Sequence, residues 1–229
     1  TTLESFDLGV DDALRSKCTL AAIPENFLQG CSKLTKVDVS NQAAIETIGN
    51  KFLHQAKALT DIKIRGLSKL KEIGDHFIAS EDGDNPVLTG VDLSGMTSLT
   101  TVGDYFLNRG SSLESVTFGD TDTGWKNVTS IGMTFMARCV KLKNIDISSF
   151  VNVKTIAGYF MERNTSLEEI DLSCLTKLEN PTGEGSYAIG TSFLYVDAAS
   201  ETSSLKTIYV PSQDATTFAV NNGDGSFLK

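Results

Sequence analysis

Histidine is almost missing from these 229 residues, with two, and tryptophan occurs once; proline and cysteine occur four times each. A zinc centre draws three or four ligands from close range, and nothing clusters around His54 and His76 in that way. They fall in different repeat slots and are expected as surface residues of the convex side. The same scarcity leaves a hydrolase only two imidazole bases, and no Ser or Cys stands in a recognisable nucleophile elbow. No apolar run approaches the ~18 residues of a membrane-spanning helix. Positive charge is in deficit. Lys and Arg number 20 against 29 Asp and Glu, a net charge of −9, the opposite of the basic face that nucleic acid demands.

What is abundant is repetition. Phe27, Phe52, Phe77, Phe106, Phe135, Phe160 and Phe193 each follow an Ile or Val by four residues: Ile23, Ile48, Ile73, Val102, Ile131, Ile156 and Ile189. A second column, Leu34, Leu59, Leu88, Leu113, Leu142, Leu167 and Leu205, precedes apolar residues at +3 and +5 with polar ones between. That alternation is the period of a strand with one buried face. A third column is Leu20, Ile45, Leu70, Leu99, Val128 and Val153. Glycines at Gly49, Gly74, Gly103, Gly132 and Gly190 suit a sharp bend or a close approach between coils. The run after each, as in Asp104-Tyr-Phe-Leu-Asn108, reads as one or two turns of helix.

Stacked coils need the same apolar wedge in every coil, so the pattern specifies a solenoid. The expected fold is α/β: a right-handed solenoid with parallel strands on one face and short helical or turn segments on the other. One domain covers 1–229, with an irregular first coil (1–33), regular coils (34–204) and a C-terminal strand and cap (205–229). Phe218 and Val220 are candidates for the cap. Leu3, Phe6 and Leu8 fit the strand template, so the chain begins inside a repeat and a missing leader carries no information. Inserts fall between columns, at 81–86, 119–125, 180–186 and 197–203, which is how solenoids accept extra length.

The patterns L-x-x-[VI]-x-[LIV] and [IV]-G-x-x-F-[LIM] resemble the BspA-like class of bacterial leucine-rich repeats over nearly the whole chain. The class pattern has Ala before the Phe; here that slot holds Asn26, Lys51, His76, Tyr105, Thr134, Tyr159 and Ser192. Its Cys survives as Cys31 and Cys139. The Pro after the strand survives as Pro211, with Ser40, Ser94, Ser148 and Ser173 elsewhere. The resemblance implies a secreted or surface-attached bacterial protein used in binding and adhesion.

Several residues invite chemistry. The outward strand position holds Asp7, Asp38, Lys63, Asp92, Thr117, Asp146, Asp171 and Tyr209. A stacked sheet presents such a column either as a solubilising face or as a ligand platform for basic or hydroxyl-rich partners. Trp125, in an insert and outside the apolar columns, is either a contact residue or folded back over the core. Asp120-Thr-Asp-Thr-Gly124 and Glu81-Asp-Gly-Asp-Asn85 are acidic but miss the calcium-loop template. Gly183-Glu-Gly-Ser-Tyr-Ala188 lacks the strand–helix setting of a dinucleotide fingerprint. Asn127-Val-Thr129 and Asn164-Thr-Ser166 are glycosylation sequons only in a eukaryotic secretory protein.

Cys31 and Cys139 share a slot four coils apart, about 19 Å at the strand spacing, too far for a disulfide. With Cys174 they read as small buried residues; a Cys18–Cys31 bridge stays open. The function expected is a non-enzymatic binding or adhesion module with no cofactor and no metal. Its partner would be a host or microbial surface protein or glycan, met through the strand face and the inserts. The alternatives are a structural spacer in a larger surface protein and a hydrolase acting on a surface polymer.

Overall fold

The computed structural model describes residues 2–8, 19–81, 87–180, 187–197 and 199–211. Its strands all pair in parallel, each with the equivalent residues of a neighbouring coil. The V-x-L triplets form the first face. Strands β1 (Ser5–Asp7), β3 (Lys36–Asp38) and β5 (Asp61–Lys63) make one sheet, β7 (Gly90–Asp92) and β9 (Ser115–Thr117) a second, and β12 (Glu169–Asp171) and β13 (Thr207–Tyr209) a third. Register follows the columns, with Val37 against Ile62 and Ile170 against Ile208. The face is less continuous than its repeat suggests. Residues 144–146 form no strand, and Ile145 is only partly buried.

A second face, not anticipated as a sheet, is the more continuous of the two. The residue pairs ending in the Ile/Val column form β2 (Ala22–Ile23), β4 (Thr47–Ile48), β6 (Glu72–Ile73), β8 (Thr101–Val102), β10 (Ser130–Ile131) and β11 (Thr155–Ile156). They line up as one six-stranded sheet, and an Ile156–Ile189 bridge extends it by a coil. The glycines that follow serve close approach rather than a bend. A β-carbon on Gly103 would stand 2.7 Å from the carbonyl carbon of Gly74, and one on Gly132 would stand 2.5 Å from that of Gly103.

The expected helical segments are absent; none of the described residues is helical, and the α/β description is corrected accordingly. In their place the backbone alternates handedness. Tyr105, Leu107 and Arg109 have φ of 59°, 50° and 61°, and Thr134, Met136 and Arg138 have 62°, 50° and 61°, while the residues between keep negative φ. The same alternation runs through Asn26, Lys51, His76, Tyr159 and Ser192. A helix would close its hydrogen bonds within the segment. Here the N–H groups reach neighbouring coils. Tyr105 donates to Met133 O (2.7 Å), Arg109 to Ala137 O (2.8 Å) and Leu107 back to Phe77 O (2.9 Å). Left-handed φ costs an L-residue roughly 1–2 kcal/mol. The inter-coil bonds and the ring burial beneath them offset that cost. Asp75 and Asp104, which open these segments, accept the next coil's N–H: Asp75 Oδ1 from Asp104 (2.9 Å) and Asp104 Oδ1 from Met133 (2.6 Å).

The core is one contiguous cluster running from Ile23 to Leu194. Its axis is the phenylalanine column. Six successive ring pairs, from Phe27–Phe52 to Phe160–Phe193, stack with centroids 4.8–6.3 Å apart. Five of the six pairs lie within 8° of parallel. Phe27, at the irregular first coil, is only partly buried, and Leu20 is 39% exposed. The proposed cap at Phe218 and Val220 lies outside the described residues.

Candidate functional site

The strand-face column keeps register within three sheets, as Asp7–Asp38–Lys63, Asp92–Thr117 and Asp171–Tyr209, and four of its aspartates are engaged. Oδ1 of Asp38 accepts from the N–H and hydroxyl of Ser40 (3.0 and 2.7 Å). Asp92, Asp146 and Asp171 likewise accept from the N–H groups of Ser94 (3.0 Å), Ser148 (2.8 Å) and Ser173 (2.8 Å). In these four coils the Asp and Ser columns are thus the two halves of one Asx turn, which ends β3, β7 and β12. Lys63 lies 3.9 Å from Asp38, and Arg65 3.9 Å from Asp92, which relieves the like-charge repulsion along the face. Thr117 and Tyr209 are exposed, Tyr209 by 52%.

Trp125 is no surface contact. It is fully buried, its indole N–H donates to Leu93 O (3.2 Å), and it stacks on Phe150 at 5.7 Å. It belongs to an apolar column that the sequence reading passed over: Leu67, Met96, Trp125, Phe150 and Leu175, each three residues before the third column or its continuation, and all buried. Gln42 opens this column, at 0% exposure, with neither amide atom partnered.

A concavity lies on the face built by the alternating-handed segments. It is a cleft of about 560 Å³ spanning five coils, from His54 to Glu162. The slot before each Phe contributes His76, Tyr105, Thr134 and Tyr159; the slots after it contribute His54, Ser80, Asn108, Arg109, Arg138 and Glu162. Left-handed φ at the first slot and at Arg109 and Arg138 brings these two columns to the same concavity. His54 packs edge-on to His76 (5.1 Å), and His76 stacks on Tyr105 (4.5 Å, 19°). Tyr159 is 40% exposed and Met133 38%.

The histidines were expected on the surface. His54 is instead buried, with its Nε2 3.4 Å from Glu81 Oε1. A carboxylate only accepts, so Nε2 donates to it; Nδ1 has no partner. Asn108 is 7% exposed, and its Oδ1 also has none. Burial, and then the neighbouring His54 charge, hold His76 below its ordinary 6.5.

Three successive coils place arginine in the same slot, but their surroundings differ. Arg163 is neutralised by Glu162 (3.6 Å), Asp197 (3.4 Å) and Glu201 (3.4 Å). Arg138, half-buried one coil away, makes no ion pair or side-chain hydrogen bond with any of the described residues. On a chain of net charge −9, the charged lining of the cleft is balanced, Arg109 and Arg138 against Glu81 and Glu162, and both carboxylates already face other side chains, His54 and Arg163.

The remaining sequence candidates resolve more simply. Asp120 Oδ1 accepts from Thr123 N–H (2.8 Å), Asp122 N–H (2.9 Å) and the Thr123 hydroxyl (3.0 Å), bonds that hold its carboxyl below the usual range. The insert thereby closes on itself. Most of the other acidic insert, most of the Gly183–Ala188 string and Cys18 lie outside the described residues. Among the described residues no group of three or more His, Cys, Asp or Glu is placed to hold a metal ion. Cys31 and Cys139 are buried free thiols; Cys174 is only partly buried, with its Sγ 3.2 Å from Ile147 O. Asn164 is buried and accepts from Cys139 N–H (2.8 Å), filling a ladder position rather than displaying a sequon.

Compared with known proteins, the chain matches the BspA type leucine-rich repeat region in six copies, over residues 13–83 and 87–190. Among curated proteins none matches. A solved leucine-rich repeat protein from Bacteroides ovatus is 16% identical, with a TM-score of 0.36, over 82% of this chain and 64% of that one. The repeat columns, the parallel inter-coil pairing and the extent of the match together place the chain in the BspA type leucine-rich repeat family.

Proposed function

We propose that this chain is a non-enzymatic recognition module of a bacterial surface or secreted protein, and that it meets its ligand at the cleft between the alternating-handed segments. One observation carries the reading. Exposed or half-exposed rings and an arginine without an acidic partner converge where two buried polar atoms, His54 Nδ1 and Asn108 Oδ1, lack hydrogen bonds. Buried polar atoms are ordinarily partnered, and a concave site with a few convergent polar groups is where small ligands bind. Family membership supports a binding scaffold, because repeats of this kind present extended surfaces for interaction.

The test is an array of extracellular proteins and glycans probed with wild type and with a Tyr105→Ala/Arg138→Gln variant. The variant is expected to keep its melting transition and lose the wild-type hits. Retention of every hit by a folded variant contradicts the cleft as the binding site.

A further inference from the structure

Resting on that reading of the cleft, we propose that its ligand is an acidic sugar: a hydroxyl-bearing ring that carries a carboxylate. Three features each ask for a different part of such a molecule. The guanidinium of Arg138, unpaired among the described residues, asks for an anion, and its planar fork matches a carboxylate in bidentate fashion. Arg163, in the same slot of the next coil, already has three carboxylates within 3.6 Å. That contrast shows how the fold satisfies an arginine when the chain itself is to supply the anion.

The second feature is a pair of buried polar atoms without partners. Asn108 and His54 are 93% and 97% buried, from exposures of 7% and 3%, and Asn108 Oδ1 and His54 Nδ1 each lack a hydrogen bond. A bare carboxylate or phosphate has no proton to offer Asn108 Oδ1. A sugar hydroxyl donates and accepts at once, so a ligand with hydroxyls beside its carboxylate satisfies both atoms and Arg138 together.

Flat ring surface is the third. Tyr105 is stacked on His76, and Tyr159, in the same slot two coils on, is 40% exposed. Such rings suit the apolar faces of a pyranose. The size of the site points the same way. A cleft of about 560 Å³ holds one or two sugar residues and lies within the range of small-ligand pockets.

The chain's two histidines both line this cleft, so their imidazole NMR signals report on it without any substitution. Wild-type protein would be titrated at neutral pH with glucuronate- and sialate-terminated oligosaccharides, with their neutral counterparts and with hexaglutamate. Saturable movement of both histidine signals is expected with an acidic sugar, with binding at least about tenfold weaker for its neutral counterpart and for Arg138→Gln. Equal binding of acidic and neutral sugars, or unchanged affinity in Arg138→Gln, overturns the proposal. Movement with hexaglutamate but with no sugar also overturns it, while leaving the cleft as a binding site. Silence of both signals toward every probe, with array hits still bound, refutes the cleft itself.

Discussion

The rings of Phe106 and Phe135 lie 5.0 Å apart and within 8° of parallel, each fully buried between the coils above and below. Each phenylalanine therefore joins three coils at once, so the stack transmits packing along the solenoid. Phe106→Ala removes a ring that touches Phe77, Trp125 and Phe135. It is expected to cost about 3–5 kcal/mol in denaturant unfolding. A loss under about 1 kcal/mol would show that the column is not core.

Gln42 is the polar member of the column that continues as Leu67, Met96 and Trp125, and both of its amide atoms are buried without partners. An unsatisfied buried amide costs about 1–3 kcal/mol. Gln42→Leu, which has the residue type of the next coil, is expected to raise stability by about 1–2 kcal/mol. Chemical denaturation decides; a destabilised variant would mean that the amide is satisfied.

His76 takes up a proton less readily than an ordinary histidine, chiefly through burial and secondly through the charge of His54. The unfolded chain binds that proton near 6.5 and the folded chain only at lower pH. The stabilisation from the neutral ring is thus full above about 6.5 and is lost as pH falls through the folded value. An NMR titration should place the His76 midpoint below 6.5. His54→Gln should raise it while leaving it below 6.5, because burial remains. A midpoint at or above 6.5 in wild type contradicts this.

Burial pushes the Cys139 thiol up to about 12 and the Cys174 thiol to about 11. The thiolate is the reactive species. Thiol labelling followed by peptide mapping should leave Cys139 unmodified until denaturant unfolds the chain, with Cys174 slow in the native state. Rapid native labelling of Cys139 would show that its slot is open.

How much of this was legible in the sequence depended on whether a column required one type of side chain. The Phe, Leu and Ile/Val columns did, because identical coils pack identical rings and branched chains, and they were read correctly. The Asp38–Ser40 pairing was visible only as two separate columns, although D-x-S is the signature of an Asx turn. Trp125 was left open between contact and core because its column mixes Gln, Leu, Met, Trp and Phe, sharing burial but not residue type. The alternating-handed segments left little trace: Tyr105, Leu107 and Arg109 are as compatible with a helix as with what they form, and a glycine marks the positive φ only at Gly30 among the described segments. The cleft followed them out of sight, since its rings and arginines sit in slots that vary from coil to coil.

The measurement that bears most directly on the account compares the two faces. Asp92→Asn/Asp146→Asn/Asp171→Asn removes strand-face charge yet keeps the oxygen that accepts from Ser94, Ser148 and Ser173; Tyr105→Ala/Arg138→Gln disarms the cleft. With the strongest array hit as the analyte, the account predicts that the strand-face variant binds as wild type does and that the cleft variant does not. Binding lost from the strand-face variant and kept by the cleft variant would contradict it, and would move recognition to the aspartate column.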